Sequence, residues 1–212
     1  MSSKPAEVKK NELAAPTGGL QIEATDIDIP MINVVQKLSE IDGPVGSIVL
    51  DKKYVLAEAD TPLTVCVAAA RKAWKENIPF DSDQRPQIAN TMAERDELNA
   101  ESDYDIIEFA EISFLIEQPE DSEDDSAFGI PIGDKNYALG RIYTTKDAYR
   151  QTYKRLATFQ LTNRETPVHA IQWQLQSSLL TKGKYSWYAP SLTATKSTTA
   201  PEVVEFLSSF AS

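Results

Sequence analysis

One cysteine and one histidine are all that this chain of 212 residues offers for thiol, imidazole or soft-metal chemistry. The lone Cys66 lies inside the apolar run 63–70, which excludes a disulfide framework and a cysteine-based zinc site and marks a small buried side chain. His169 follows Pro167 at the start of a glutamine-rich stretch. It has no serine or cysteine motif partner and no acid at ligand spacing, so it reads as a surface or hydrogen-bonded histidine. No GxxxxGK[ST] and no GxGxxG is present, and the glycines at 43, 46, 129 and 133 are turn residues rather than a phosphate cradle. No apolar run approaches the roughly 20 residues that span a bilayer. The opening MSSKPAEVKKNELAAPTGG has charges but no apolar stretch of the kind an export signal needs. These absences disfavour an enzyme, imply no cofactor or metal, and point to a cytoplasmic protein with no membrane partner.

What is present is a sharply uneven charge distribution. The chain carries a formal charge of −11, yet residues 135–200 hold ten Lys/Arg against only Asp147 and Glu165, about +8. The remainder therefore sums to −19. Nine of the eighteen aromatic residues fall in that same basic third. Cations interleaved with aromatic rings are what a surface needs to follow a phosphate backbone and stack bases.

Residues 1–24 are polar, contain Pro5, Pro16 and Gly18-Gly19, and show no apolar period, so they read as a flexible arm ahead of one domain spanning 25–212. Runs at 29–36, 46–50 and 61–70 read as successive strands separated by Asp42-Gly43-Pro44 and Asp60-Thr61-Pro62. Residues 81–125 carry sixteen acids against Arg85 and Arg95. Within that block 90–100 reads as a short exposed helix, 105–118 as a long strand, and 119–125 as a solvated acidic loop. Further strands are expected at 128–132 and 137–144. Thr145 is placed to cap a helix from Lys146, with Tyr149, Tyr153, Leu156 and Gln160 on one face. Ile171, Trp173 and Leu175 alternate with Gln172, Gln174 and Gln176, a half-buried strand that turns at 181–184 and returns over 185–192. A short amphipathic helix with Pro201 in its first turn closes the chain. This element pattern predicts a mainly antiparallel α+β fold or a closed barrel, an OB-like barrel and a sandwich being two members of that class.

Three constellations carry the chemistry. The hairpin LLTKGKYSWYAP sets Lys182 and Lys184 at a tip followed by Tyr185, Trp187 and Tyr188. Strand alternation puts Tyr185 and Trp187 on one face and Tyr188 on the other, so the tip has a stacking platform beside cations, unless those two rings belong to the core. The stretch RIYTTKDAYRQTYKR supplies Arg141, Tyr143, Lys146, Tyr149, Arg150, Tyr153, Lys154 and Arg155, one wall of a groove. For Tyr149 and Tyr153 the competing reading is the core face of an amphipathic helix. Arg71, Lys72 and Trp74 close the third strand and extend the same groove, or serve structure alone. The acidic block keeps the chain soluble or repels nucleic acid from the wrong face.

The layout IPMINVVQKLSE, GPVGSIVLD, a basic Trp-bearing strand, an acidic middle and KGKYSWYAP resembles a group of tailed-bacteriophage proteins of about this length. Some of these are single-stranded DNA-binding proteins with OB-type folds, and others are virion proteins. The resemblance implies sequence-independent binding of single-stranded DNA during phage replication or recombination in the host cytoplasm. Where such proteins often end in an acidic tail that recruits replication partners, this chain ends in EVVEFLSSFAS, leaving the 119–125 loop as the substitute. A virion-associated structural protein and a small inhibitor of a host nucleic-acid enzyme are the alternatives.

Overall fold

The computed structural model describes residues 28–79, 82–119 and 125–210. The arm expected at 1–24 and most of the acidic loop, residues 120–124, lie outside the described residues. The elements run β1 (Ile32–Val34), β2 (Ile48–Leu50), β3 (Tyr54–Ala57), β4 (Leu63–Glu76), β5 (Ile88–Ala89), α1 (Met92–Glu101), β6 (Ile106–Glu117) and β7 (Ile130–Ile132). They continue with β8 (Lys135–Thr145), α2 (Lys146–Gln151), α3 (Tyr153–Thr162), β9 (Ile171–Lys182), β10 (Tyr185–Thr198) and α4 (Pro201–Phe210). Every ladder between named strands is antiparallel. The fold is thus α+β and mainly antiparallel, with the closing helix expected from Pro201. Among the described residues no helix is long and apolar enough to cross a membrane.

A seven-stranded sheet in the order β10-β9-β4-β6-β8-β7, with β5 paired to β4, forms the frame, and β1-β2-β3 form a second, small sheet. β6 lies in the middle of the large sheet, and its two faces are covered by different elements, which explains why its sequence is apolar almost without alternation. On one face Val65, Val67, Ile112, Phe114, Trp173 and Leu175 meet Ile32, Ile48 and Leu50 of the small sheet and Tyr149 and Leu156 of α2 and α3. Gly140 permits that approach: a Cβ there would lie 2.8 Å from the side chains of Ile32 and Leu50. On the other face Cys66, Leu115, Tyr137 and Leu139 receive Val203 and Leu207 of α4.

The OB-like barrel does not form as a continuous ladder, because the large sheet is open, ending in β10 on one side and β7 on the other. Side chains and short bridges stand in for the missing pairing. The stretch of β8 beyond β7 meets the chain just before β1, where Arg141 N–H donates to the Pro30 carbonyl at 2.9 Å. Beyond β1, Gln36 pairs with the outer edge of β10: its Nε2 donates to the Tyr188 carbonyl at 2.9 Å, and its Oε1 accepts from the Tyr188 N–H at 3.0 Å.

Free strand edges invite pairing with another chain, and β10 is blocked at three successive outward positions. Gln36 occupies Tyr188, Pro190 has no N–H to offer, and Arg155 Nη1 donates to the Leu192 carbonyl at 2.8 Å. Arg155→Ala is expected to remove about 1 kcal/mol of stability and to increase concentration-dependent self-association in sedimentation velocity. A sedimentation profile identical to the parent's would show that this edge needs no arginine.

Candidate nucleic-acid interface

The β9–β10 hairpin turns in two residues, Gly183 and Lys184, with Gly183 at φ +61°, the left-handed conformation that glycine takes without a Cβ penalty. The register sets Tyr185 opposite Lys182, Trp187 opposite Leu180 and Tyr188 opposite Leu179. Tyr185, Trp187, Lys182 and Leu180 therefore share one face and Tyr188 the other, as alternation requires. Tyr185 is 65% exposed, and Lys184 Nζ lies 5.3 Å from its ring centroid. Trp187 is half-buried. A shallow groove of about 450 Å³ runs along the stem, lined by Gln36, Lys37, Leu38, Leu179, Trp187 and Tyr188. Among the described residues no carboxylate pairs with Lys37, Lys182 or Lys184.

The stem beneath this tip is fixed. Tyr188 is withdrawn from the contact set: its ring packs so closely on Gly46 that a Cβ there would lie 2.5 Å from it, and its backbone is held by Gln36. Rings mounted on a clamped stem lose less conformational entropy on binding than rings on a mobile loop. No local sequence signal marks Gln36, Lys37 or Leu38, because the Gln36–Tyr188 pairing joins residues 152 apart.

The single groove expected from 141–155 and 182–188 is not assembled. Lys182 lies seven residues beyond Leu175, which pairs with Leu63, while Arg141 is level with Ser113 and Ala69, six residues beyond Leu63 in the other direction. The two places are thus about thirteen residues apart along the ladders. The 141–155 segment is itself divided by the large sheet. Arg141 and Tyr143 lie with Arg71 on the face that carries α4, where Tyr143 is 46% exposed and meets Phe109 edge-on at 6.1 Å. Their charges are already matched: Glu111 accepts Arg71 at 2.8 Å and lies 3.7 Å from Arg141, which also reaches Asp28 at 3.4 Å.

The helices that follow lie on the opposite face. The expected single helix breaks at Thr152, a buried residue with ψ −83° whose hydroxyl donates to the Ala148 carbonyl at 2.7 Å and lies 3.1 Å from that of Thr144. Tyr149 is 4% exposed and stacks on Tyr153 at 5.4 Å, so the core reading holds for Tyr149 and it has no face to offer a base. Lys154 lies over the Tyr149 ring and Arg150 pairs with Asp147 at 3.3 Å. Arg155 guards the sheet edge. Lys72 pairs with Glu108 and sits over Trp74, whose other cationic neighbour is Arg95. Trp74 is buried among Ala89 and Leu98, which removes it from contact.

Burial raises the Cys66 thiol above its ordinary pKa, and its Sγ lies 3.7 Å from the Thr199 hydroxyl. His169 Nε2 lies 3.5 Å from Ser208 Oγ on α4. Among the described residues no group of three or more His, Cys, Asp or Glu is placed to hold a metal ion. Comparison of the chain with protein-family models, with curated proteins and with solved structures found no match.

Proposed function

We propose that this is a non-enzymatic protein that binds single-stranded DNA, with little sequence preference, through the tip of the β9–β10 hairpin. The observation that carries the reading is Tyr185, 65% exposed, with Lys182 across the strand and Lys184 over its ring and, among the described residues, no carboxylate paired with either lysine. Bases stack on Tyr185 and Trp187, and Lys182, Lys184 and Lys37 displace counterions from the phosphates. The resemblance to phage proteins makes replication or recombination in the host cytoplasm the setting. There the acidic 119–125 segment is the candidate contact for replication partners. A virion-associated role is the second reading, favoured by Leu38, 97% exposed beside the half-exposed Leu179.

Titration with oligo-dT at several salt concentrations separates the two. Three phosphate-contacting lysines give a slope of log K against log salt of about −2, at roughly −0.7 per phosphate neutralised on a single strand. The Lys182→Ala, Lys184→Ala double variant is expected to fold like the parent and to flatten that slope to about −0.7. Absence of oligonucleotide binding at low salt rejects the DNA reading in favour of a protein partner.

A further inference from the structure

Far from the hairpin, at the end of β4, a polar cleft of about 330 Å³ opens between Lys75 and Lys146, with Asn77, Ser82, Gln84 and Thr145 in its wall. Several cations nearby are matched to carboxylates: Arg71 and Arg141 to Glu111, Lys72 to Glu108, Arg150 to Asp147. Lys75 and Lys146 are different. Among the described residues neither has a carboxylate partner, and both line the same cleft. Lys75 is half-buried, with its ammonium 5.9 Å from the Phe109 ring centroid. Burial first, and the charge of Lys146 second, hold its pKa below the ordinary lysine value.

Among the described residues of the cleft wall the one acid is Glu76, and it is engaged elsewhere. One of its oxygens accepts the Gln87 N–H at 2.8 Å and the other the Ser102 hydroxyl at 2.5 Å, contacts that hold its carboxyl below the usual range. Lys146 is also held at φ +51°, a left-handed conformation that a lysine seldom adopts and that the surrounding fold must impose. Two like charges kept together beside a cavity, one of them partly desolvated, are stabilised by an anion placed between them.

We propose that the Lys75–Lys146 cleft is a binding site for a phosphate group, separate from the hairpin. The shared chemistry is a phosphoryl oxygen set reached by two ammonium groups. Its source is either a free phosphomonoester or the phosphodiester of a strand lying along the sheet face beside Phe109 and Tyr143. The cleft volume is at the lower end of the range for small-molecule sites, consistent with a ligand of mononucleotide size.

The test follows lysine side-chain NMR signals of the full chain during titration with inorganic phosphate, thymidine monophosphate, and a ten-residue oligo-dT without terminal phosphates. With inorganic phosphate and thymidine monophosphate, saturable shifts confined to Lys75 and Lys146 are expected, with the Lys75 titration midpoint moving up on phosphate binding. Lys75→Gln and, independently, Lys146→Gln should each weaken phosphate binding at least tenfold. A response of Lys75 and Lys146 to inorganic phosphate and thymidine monophosphate alone assigns a free phosphomonoester, and an equal response to the oligonucleotide assigns a strand phosphate. The same titration on the Lys182→Ala, Lys184→Ala double variant should be unchanged with inorganic phosphate, so failure of the hairpin reading leaves this one standing. Unresponsive lysine signals with all three ligands, or a folded Lys75→Gln or Lys146→Gln protein that binds phosphate like the parent, would overturn it.

Discussion

Trp173→Ala is expected to lower the free energy of unfolding by about 3–5 kcal/mol. The indole is 1% exposed, meets Phe159 edge-on at 5.2 Å, and donates from Nε1 to the Val168 carbonyl at 2.8 Å. Its removal leaves a cavity between β9 and α3 and an unsatisfied carbonyl. Trp187→Ala on the partner strand should behave in the opposite way. It should cost little stability, because Trp187 is half-buried near the tip, and should weaken oligo-dT binding by about 1–3 kcal/mol. Urea unfolding and oligonucleotide titration on both variants check the contrast. Equal stability losses in the two proteins would return Trp187 to the core.

Gly46→Ala should be the most damaging change outside the large sheet. Gly46 has φ +90°, and a Cβ there would lie 2.5 Å from the Tyr188 ring and 2.7 Å from the Ala59 Cβ. A left-handed conformation costs an ordinary residue about 1–2 kcal/mol and overpacking about 1–3 kcal/mol, so a loss of about 2–5 kcal/mol is expected. Because Tyr188 is the residue displaced, the stem beneath Tyr185 and Trp187 should loosen. Oligonucleotide affinity should then fall in a variant that leaves both rings and all the tip lysines in place. A Gly46→Ala protein with the parent's melting temperature would mean that Tyr188 can move aside freely and that the clamp is dispensable.

Where the pattern was local, the sequence was informative. Alternation at Ile171, Trp173 and Leu175 placed β9, Lys-Gly-Lys placed the turn, and Thr91 caps α1 inside the span expected for it, its hydroxyl accepting from Glu94 N–H at 3.2 Å. β4 runs on to Glu76, through the Arg71–Lys75 stretch that the sequence set at a strand's end. β3 and β5 were missed. Four residues and two residues, respectively, show no usable period. The helix break at Thr152 was hidden for a different reason: a threonine inside an apolar helical period reads as helix until Thr144 is known to lie against it.

The site was less legible than the fold, because sequence proximity does not report which side of a sheet a residue occupies. Residues 141–155 are continuous in sequence and basic throughout, yet Arg141 and Tyr143 lie on one face and Tyr149 on the other. The net charge of the basic third also overstates what it presents, since Arg141 and Lys135 each meet a carboxylate from distant acidic sequence. Among the described residues no carboxylate meets Lys182 or Lys184, and at the hairpin that part of the original signal stays available.

Intrinsic fluorescence gives the most direct measurement of the hairpin claim. The chain has three tryptophans, and Trp74 and Trp173 are buried, leaving Trp187 as the one placed to meet a base. Oligo-dT added at low salt is expected to quench the emission saturably, with the quenching lost in Trp187→Phe while that variant still binds by mobility shift. Quenching that persists undiminished in Trp187→Phe, or an emission spectrum that oligo-dT does not change although the strand binds, would contradict the account.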